Sequence, residues 1–434
     1  MNDSARSLAH QVVRRVADEG AYSNRLLPAL LGRSRLDRRD RALATELSYG
    51  TLRRLVPIDH ALAGLVTRPF GQASPEARAA LRLGAYQLLF TRVPSHAAVR
   101  ETVELVRPGE RGFVNAVLRR LAASPPAPPA GDGDENVSHR TGLAAWGVAE
   151  LRRLLPAEDV EPAAAALGER GAPTVRTNPC RSDPGALETA LRAAGAEPER
   201  GRIHPGSFRV RGGSPAEMPG FAEGWFSIQD EASAWVVDVL DPRPGEDVLD
   251  TCAGPGGKAA DIACRSGAVV AADVTTPRAE LVRGAATRLG VTARVLVQDA
   301  RAPAAREGFD RILVDAPCTG IGSARRRPEL LWRPRRTDLS SLARLQVAIT
   351  LGAAGLLRRG GVLVYSVCTF PRAETDAACD ALLGKAPWLR PDPFPGPDGR
   401  PVDRARLWPH RHGADAMFVA RFRREGSPGD EATA

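Results

Sequence analysis

Apolar residues recur at helical spacing through the first 122 positions: Leu8, Val12, Val13 and Val16, then Leu43, Leu47, Leu52 and Leu55. The theme continues through 79–90 and 113–118 with no alternating strand pattern to interrupt it. Residues 1–122 are therefore expected to form a small all-α domain. From about residue 225 the period changes. Short apolar runs at 247–250, 268–274, 294–298, 311–315, 362–367 and 418–422 read as strands, with helical stretches at 232–240, 278–289 and 342–357 between most of them. That alternation over 225–425 predicts a doubly wound α/β sheet with its ligand at the carboxyl ends of the strands. Between the two lies a Pro/Gly-rich stretch, Ser124-Pro125-Pro126-Ala127-Pro128-Pro129-Ala130-Gly131, read as a linker over 123–140. A small α/β adaptor is expected at 141–224, with strands at 174–177 and 207–210 bracketing a helix at 185–194. Residues 426–434 read as a disordered tail.

Charge changes this picture at one end only. The chain holds 60 Lys and Arg against 51 Asp and Glu, a formal net charge of +9. Residues 1–122 contain twenty Arg and no Lys against eleven acids, and the remainder carries forty of each sign, so the whole excess sits in the helical domain. A basic face for a polyanion is the expectation for that domain, against the alternative of a solvated charged surface. The six cysteines show no CxxC and no paired spacing, so no disulfide framework is expected. None lies at ligand spacing from another Cys or a His, and no metal site is expected. Neither a signal-type N-terminus nor an apolar run of about 18 residues is present, which points to a reduced, cytoplasmic protein with no membrane partner.

Candidate chemistry concentrates where strands end. Asp250-Thr251-Cys252-Ala253-Gly254-Pro255-Gly256-Gly257-Lys258 is a strand end, a glycine-rich turn and a helix start, in which backbone can approach a ligand closely. It fails the GxxxxGK[ST] phosphate loop at Cys252 and Ala259, and Pro255 spoils the dinucleotide fingerprint. Asp273, Asp299 and Asp315 end later strands, giving with Asp250 four acids at one crevice. They suit the ribose hydroxyls and amino groups of S-adenosyl-L-methionine. Lys258 is one of two lysines in an arginine-rich chain, which suggests a need for a compact ammonium.

Two cysteines also close apolar runs: Asp315-Ala316-Pro317-Cys318, and Val362-Leu363-Val364-Tyr365-Ser366-Val367-Cys368. Either alone would more often be a buried packing residue. A methyl donor beside a thiol points instead to pyrimidine carbon-5 methylation, because that carbon is a poor nucleophile until a thiolate adds at carbon 6. Asp315 is placed to hold ring nitrogen 3 or the exocyclic amine, favouring cytosine.

These motifs resemble the Sun family of RNA cytosine-5 methyltransferases, and the helical domain resembles the NusB-type RNA-binding fold, over nearly the whole chain. The resemblance implies a Rossmann-like methyltransferase domain that uses S-adenosyl-L-methionine and acts on RNA. It is nearest to the family's 16S rRNA branch, which implies a monomer that does not act on DNA. It further implies attack by Cys368, release assisted by Cys318, and donor contacts from Cys252, Ala253, Gly254, Pro255, Gly256, Gly257, Lys258, Asp273, Asp299 and Asp315. The Gln229-Asp230 pair before the first strand matches as well. This chain departs from the family at Gly254 and Ala259 in the loop, at Leu331 where Lys is usual, and at Ala416-Met417 near the end.

Arg325, Arg326 and Arg327 precede Trp332-Arg333, and basic residues interleaved with an aromatic suit phosphate contact and base stacking. Three other readings compete: methylation of another RNA (tRNA or 23S rRNA), a DNA cytosine methyltransferase, and an RNA-binding assembly or antitermination factor with a vestigial catalytic domain. Cys318 is followed by Thr319-Gly320 rather than the Gln usual after a DNA enzyme's Pro-Cys, and the intact loop with both cysteines argues against decay.

Overall fold

Why the N-terminal apolar stripes fold as helices is visible at their ends. Ser4 accepts from the Ser7 amide at 3.1 Å to start Ala5–Asp18, and Asp37 accepts from the Asp40 amide at 2.8 Å to start Arg38–Arg53. Ser23–Arg33, Leu55–Ala63, Pro75–Phe90, Ser95–Val103 and Pro108–Ala123 complete the set over this stretch. Val12, Val13, Val16, Leu47, Leu52, Leu81 and Val117 are buried between them. In the computed structural model, residues 4–66, 69–303 and 308–426 are described; the expected tail lies almost wholly outside them.

The chain divides into two compact units, and the division differs from the expected one. The first comprises residues 1–170 with 324–335, the second 171–323 with 336–434. The helical unit therefore runs past 122 to include Asp134–Thr141, Ala145–Arg152 and Ala157–Gly168, all-helical where linker and adaptor were expected. Arg54 reaches the carbonyl of Arg140, and the His60 and His139 rings stack 3.8 Å apart. Those contacts join residues on both sides of the proline-rich stretch, which itself stays irregular and mostly exposed.

In the second unit, four antiparallel strands form a small sheet in the order β2-β3-β1-β4: β1 Thr174–Thr177, β2 Glu197–Arg200, β3 Ser207–Arg211 and β4 Phe226–Ile228. β2 escapes a pattern search because only Pro198 of its four residues is buried. The larger, eight-stranded sheet contains β5 Val248–Asp250, β6 Val269–Asp273, β7 Ala293–Val297, β8 Phe309–Asp315 and β9 Leu357–Val367, followed by β10 Leu389–Pro391, β13 Arg404–Leu407 and β14 Met417–Arg424. β11 Phe394–Pro395 and β12 Pro401–Val402 pair separately. The order β10-β14-β9-β8-β5-β6-β7 keeps β9 through β7 parallel, with β14 antiparallel to β9. β5 sits between β6 and β8, so the connections depart to opposite sides at that point and leave a crevice at its carboxyl end.

The segment between β1 and β5 is tied to the large sheet at the helix Gly257–Ser266, which follows the glycine-rich loop. Fully buried Arg176 of β1 pairs with Asp261 on that helix at 3.0 Å and donates to the carbonyl of Gly257. Cys180 and Cys264 form a disulfide at the same junction, with Cα atoms 5.8 Å apart. This corrects the expectation of a fully reduced chain: the two thiols are 84 residues apart in sequence, and only the fold brings them together.

Candidate active site

Strand β5 delivers Asp250 to the crevice floor, and the loop after it turns tightly into the helix Gly257–Ser266. Gly256 has φ +109°, and a Cβ there would lie 2.9 Å from the Ala285 side chain, so only glycine fits. At Gly254, where the family usually has Ala, a Cβ would meet Asp273 Oδ2 at 2.7 Å. The Gly254 amide donates to that same oxygen at 3.0 Å. Asp273 also pairs with Arg278 at 2.9 Å, and Arg278 donates to the Gly254 carbonyl. The carboxylate expected to hold a ribose thus also anchors the loop.

Asp250 is 1 % exposed, and its carboxylate has no side-chain hydrogen-bond partner among the described residues, only the Cys252 backbone amide facing it. Burial, reinforced by the Asp315 charge, pushes its pKa up to about 7. A buried acid without a side-chain partner on the floor of a glycine cradle fits a donor whose polar groups are mostly hydrogen-bond donors or cationic, as those of S-adenosyl-L-methionine are. Cys252 beside it is raised to about 12 by burial and the Asp250 charge, so it stays a neutral thiol. Asp299 is not drawn inward: it lies in the turn after β7, is bound by Arg301 at 2.5 Å, and that hydrogen bonding brings its pKa down to about 2.

The carboxyl ends of β8 and β9 lie side by side, with Asp315 opposite Ser366. Asp315 accepts from Lys258 Nζ at 2.6 Å and from Ser366 Oγ at 2.8 Å, a fixed carboxylate with an ammonium beside it. Just beyond it, Cys318 Sγ lies 3.5 Å from Cys368 Sγ. The hydrogen bond from the neighbouring thiol and burial together hold the Cys318 pKa well above its usual value. Lys258, Asp315 and both cysteines were expected at this place; Ser366 and Glu374 were not. Glu374 is buried and accepts from Thr319 and Gln346 directly behind the thiols. Its only sequence signal is an acid six residues after Cys368.

Gln229 Oε1 accepts from Arg176 at 2.8 Å, and Asp230 caps the helix Glu231–Leu240 while accepting from the Asp415 amide. The expected RNA-binding stretch is placed otherwise than foreseen. Residues 324–335 belong to the helical unit, where Trp332 packs against its core and donates Nε1–H to the Leu52 carbonyl at 3.0 Å. Arg333 donates to the carbonyls of Val16, Gly20 and Ala21 at the end of the first helix. Trp332 and Arg333, both half-buried, thus also have structural roles that sequence could not reveal. Arg325, Arg326 and Arg327 lie on the same insertion, with Arg326 exposed.

Residues 237–423 match the family described as 16S rRNA methyltransferase RsmB/F, and residues 3–123 match the NusB family. The chain is 34% identical to "Ribosomal RNA small subunit methyltransferase B" of Klebsiella pneumoniae, covering 89% of this chain and 91% of that one. It is likewise 34% identical to "Probable ribosomal RNA small subunit methyltransferase B" of Bacillus subtilis, covering 98% and 99%. Among solved structures, the crystal structure of PH0851 matches with a TM-score of 0.83 at 24% identity, over 98% of this chain and 100% of that one.

Proposed function

The chain belongs to the RsmB/F family of methyltransferases and is an S-adenosyl-L-methionine-dependent RNA (cytosine-5) methyltransferase; from that premise we propose how its residues divide the reaction and what it acts on. The observation that carries the reading is the pair of thiols 3.5 Å apart beyond Asp315, beside the glycine cradle. Cys368 attacks carbon 6 of the target cytosine, forming an S–C bond and moving the ring's electron pair toward carbon 5. Asp315, oriented by Lys258 and Ser366, accepts a hydrogen bond from the exocyclic amine and so fixes the cytosine ring for attack. Residues 252–258, with Asp250 and Asp273, would hold the donor, which would supply an electrophilic methyl group for carbon 5. Loss of the carbon-5 proton to a water molecule then re-forms the ring double bond and breaks the S–C bond, returning the electron pair to the Cys368 sulfur. Cys318, held as a thiol, donates a hydrogen bond to the departing sulfur.

The substrate we assign is a cytosine in 16S rRNA, in an unpaired or loop context because carbon 6 is unreachable within a stack. The names of the relatives support the rRNA, and the NusB-type match together with the arginine surplus of residues 1–122 supports RNA contact through phosphates. We place the enzyme as a monomer in the cytoplasm with that RNA, not acting on DNA. Among the described residues, no helix is long and apolar enough to cross a membrane.

Denaturing gels test the roles of the thiols. A covalent RNA adduct should accumulate in Cys318→Ala and never form in Cys368→Ala; an adduct formed by Cys368→Ala through Cys318 would reverse the assignment. Mapping 5-methylcytosine in small-subunit rRNA from cells with and without the protein tests the substrate.

A further inference from the structure

Cys318 and Cys368 are each followed by a threonine, and the two threonines meet. Thr319 Oγ1 and Thr369 Oγ1 lie 2.7 Å apart. Both point at one carboxylate: Glu374 Oε2 accepts from Thr319 Oγ1 at 2.6 Å and from Thr369 Oγ1 at 3.4 Å. Glu374 Oε1 accepts from the Thr319 amide and from Gln346 Nε2, each at 2.9 Å. Gln346 Nε2 also holds the carbonyl of Pro317 at 2.9 Å, on the other side of Cys318. Every side-chain contact of Glu374 is thus a donor, the arrangement that suits an ionised carboxylate, set against burial, which raises its pKa. A fully buried carboxylate costs folding energy that apolar packing would not, and here it is spent on the residues flanking two reacting thiols.

The clamp is lopsided. Two of the hydrogen bonds come directly from Thr319, and a third comes from the glutamine that holds Pro317. Only the longest comes from the Cys368 side. Cys368 is held independently, because Val367 is paired with Phe418 in the sheet and the Gly322 amide donates to the Cys368 carbonyl at 3.0 Å.

We infer that Glu374 is a positioning residue that seats the Cys318 thiol against Cys368, so that its loss spares attack and stalls release of the methylated RNA. The inference rests on the roles given above to the two cysteines. Glu374 touches no reacting atom and acts through Thr319 and Gln346. Charge adds to geometry, since the buried carboxylate's field disfavours a Cys318 thiolate.

The full-length protein should be assayed with 16S rRNA and donor in single turnover, reading adduct and methylated product together. Cys318→Ala and Cys368→Ala set the two reference outcomes. Glu374→Gln should keep donor affinity and form the adduct, yet release product about tenfold to a hundredfold more slowly, raising the adduct-to-product ratio. Thr319→Val should shift the ratio the same way and Thr319→Ser should restore it, which decides the matter even where Glu374→Gln fails to fold. A wild-type ratio in Glu374→Gln or Thr319→Val, or adduct and product falling in parallel, overturns the role of Glu374 while the cysteine controls stand. If Cys318→Ala itself releases RNA normally, the cysteine assignment fails first and takes this inference with it.

Discussion

In the function proposed above, Asp250 joins acidity to donor capture. The unfolded chain would hold this proton only below about its ordinary 3.8, whereas the folded protein keeps it up to about 7. Between those values the folded state binds the extra proton, so this residue's contribution to stability falls as pH rises through that window. Asp250→Asn removes the loss: its melting temperature should gain on the wild type more at about pH 8 than at about pH 4. Donor binding should move the other way. Capturing a cationic amino group needs the carboxylate, so affinity measured by calorimetry should rise roughly tenfold per unit as pH approaches 7 from below, then level off. Asp250→Asn should lose about tenfold and show no such slope; a flat wild-type profile would remove Asp250 from the donor site. Sequence showed four strand-end acids but could not rank them, because rank came from surroundings. Asp250 is buried without a side-chain partner, Asp273 is tied to Arg278, Asp315 to Lys258, and Asp299 to Arg301 at the surface.

The helix Gly257–Ser266 begins at the glycine-rich loop and is gripped from the adaptor side twice, by Arg176 on Asp261 and by the Cys180–Cys264 bridge. Closing a loop of 84 residues constrains the unfolded chain by on the order of 4 kcal/mol in a chain-entropy account. Reduction, or Cys180→Ser, should therefore lower the melting temperature, and an equal temperature with and without reductant would show the bridge contributes nothing. Alkylation of denatured, unreduced protein followed by mass spectrometry should label Cys252, Cys318, Cys368 and Cys379 and spare the bridged pair. Stable bridges are unusual in a reducing cytosol, where those that form tend to be transient or redox-sensing, so the fraction oxidised in freshly lysed cells is worth measuring. Elements differed in how far the chain announced them. β5, β6, β8 and β9 were plain from apolar runs ending in Asp or Cys, since a buried parallel strand leaves that mark. β2, a polar edge strand, left none, and helices 134–168 hid behind the proline-rich stretch because alanine-rich sequence beside a linker carries a weak stripe.

At the scale of the molecule, the arginine excess should be read by salt. RNA affinity should fall linearly in log–log with salt. Replacing Arg35, Arg38 and Arg39, all exposed, with Gln should shallow the slope by roughly 0.7 to 0.9 for each phosphate no longer neutralised, while leaving donor affinity unchanged. An unchanged slope would place the RNA elsewhere. Such substitutions test the helical unit better than deleting residues 1–122, because that deletion strips the core that residues 324–335 complete. Trp332→Ala should destabilise the unit by about 2–3 kcal/mol, as truncating a half-buried aromatic does, visible as an earlier melting transition. Part of the stretch that composition marked as an RNA clamp thus also packs within the helical unit: Trp332 and Arg333 are half-buried there, while Arg326 stays exposed. It also sets a timetable. Ser23, in the second helix, gives both its amide and its hydroxyl to Glu329, 306 positions later. Those two bonds form only once residue 329 has been made, so a nascent chain arrested before residue 324 should be more protease-sensitive around Ser23 than the finished chain, while the core of residues 9–121 can already pack.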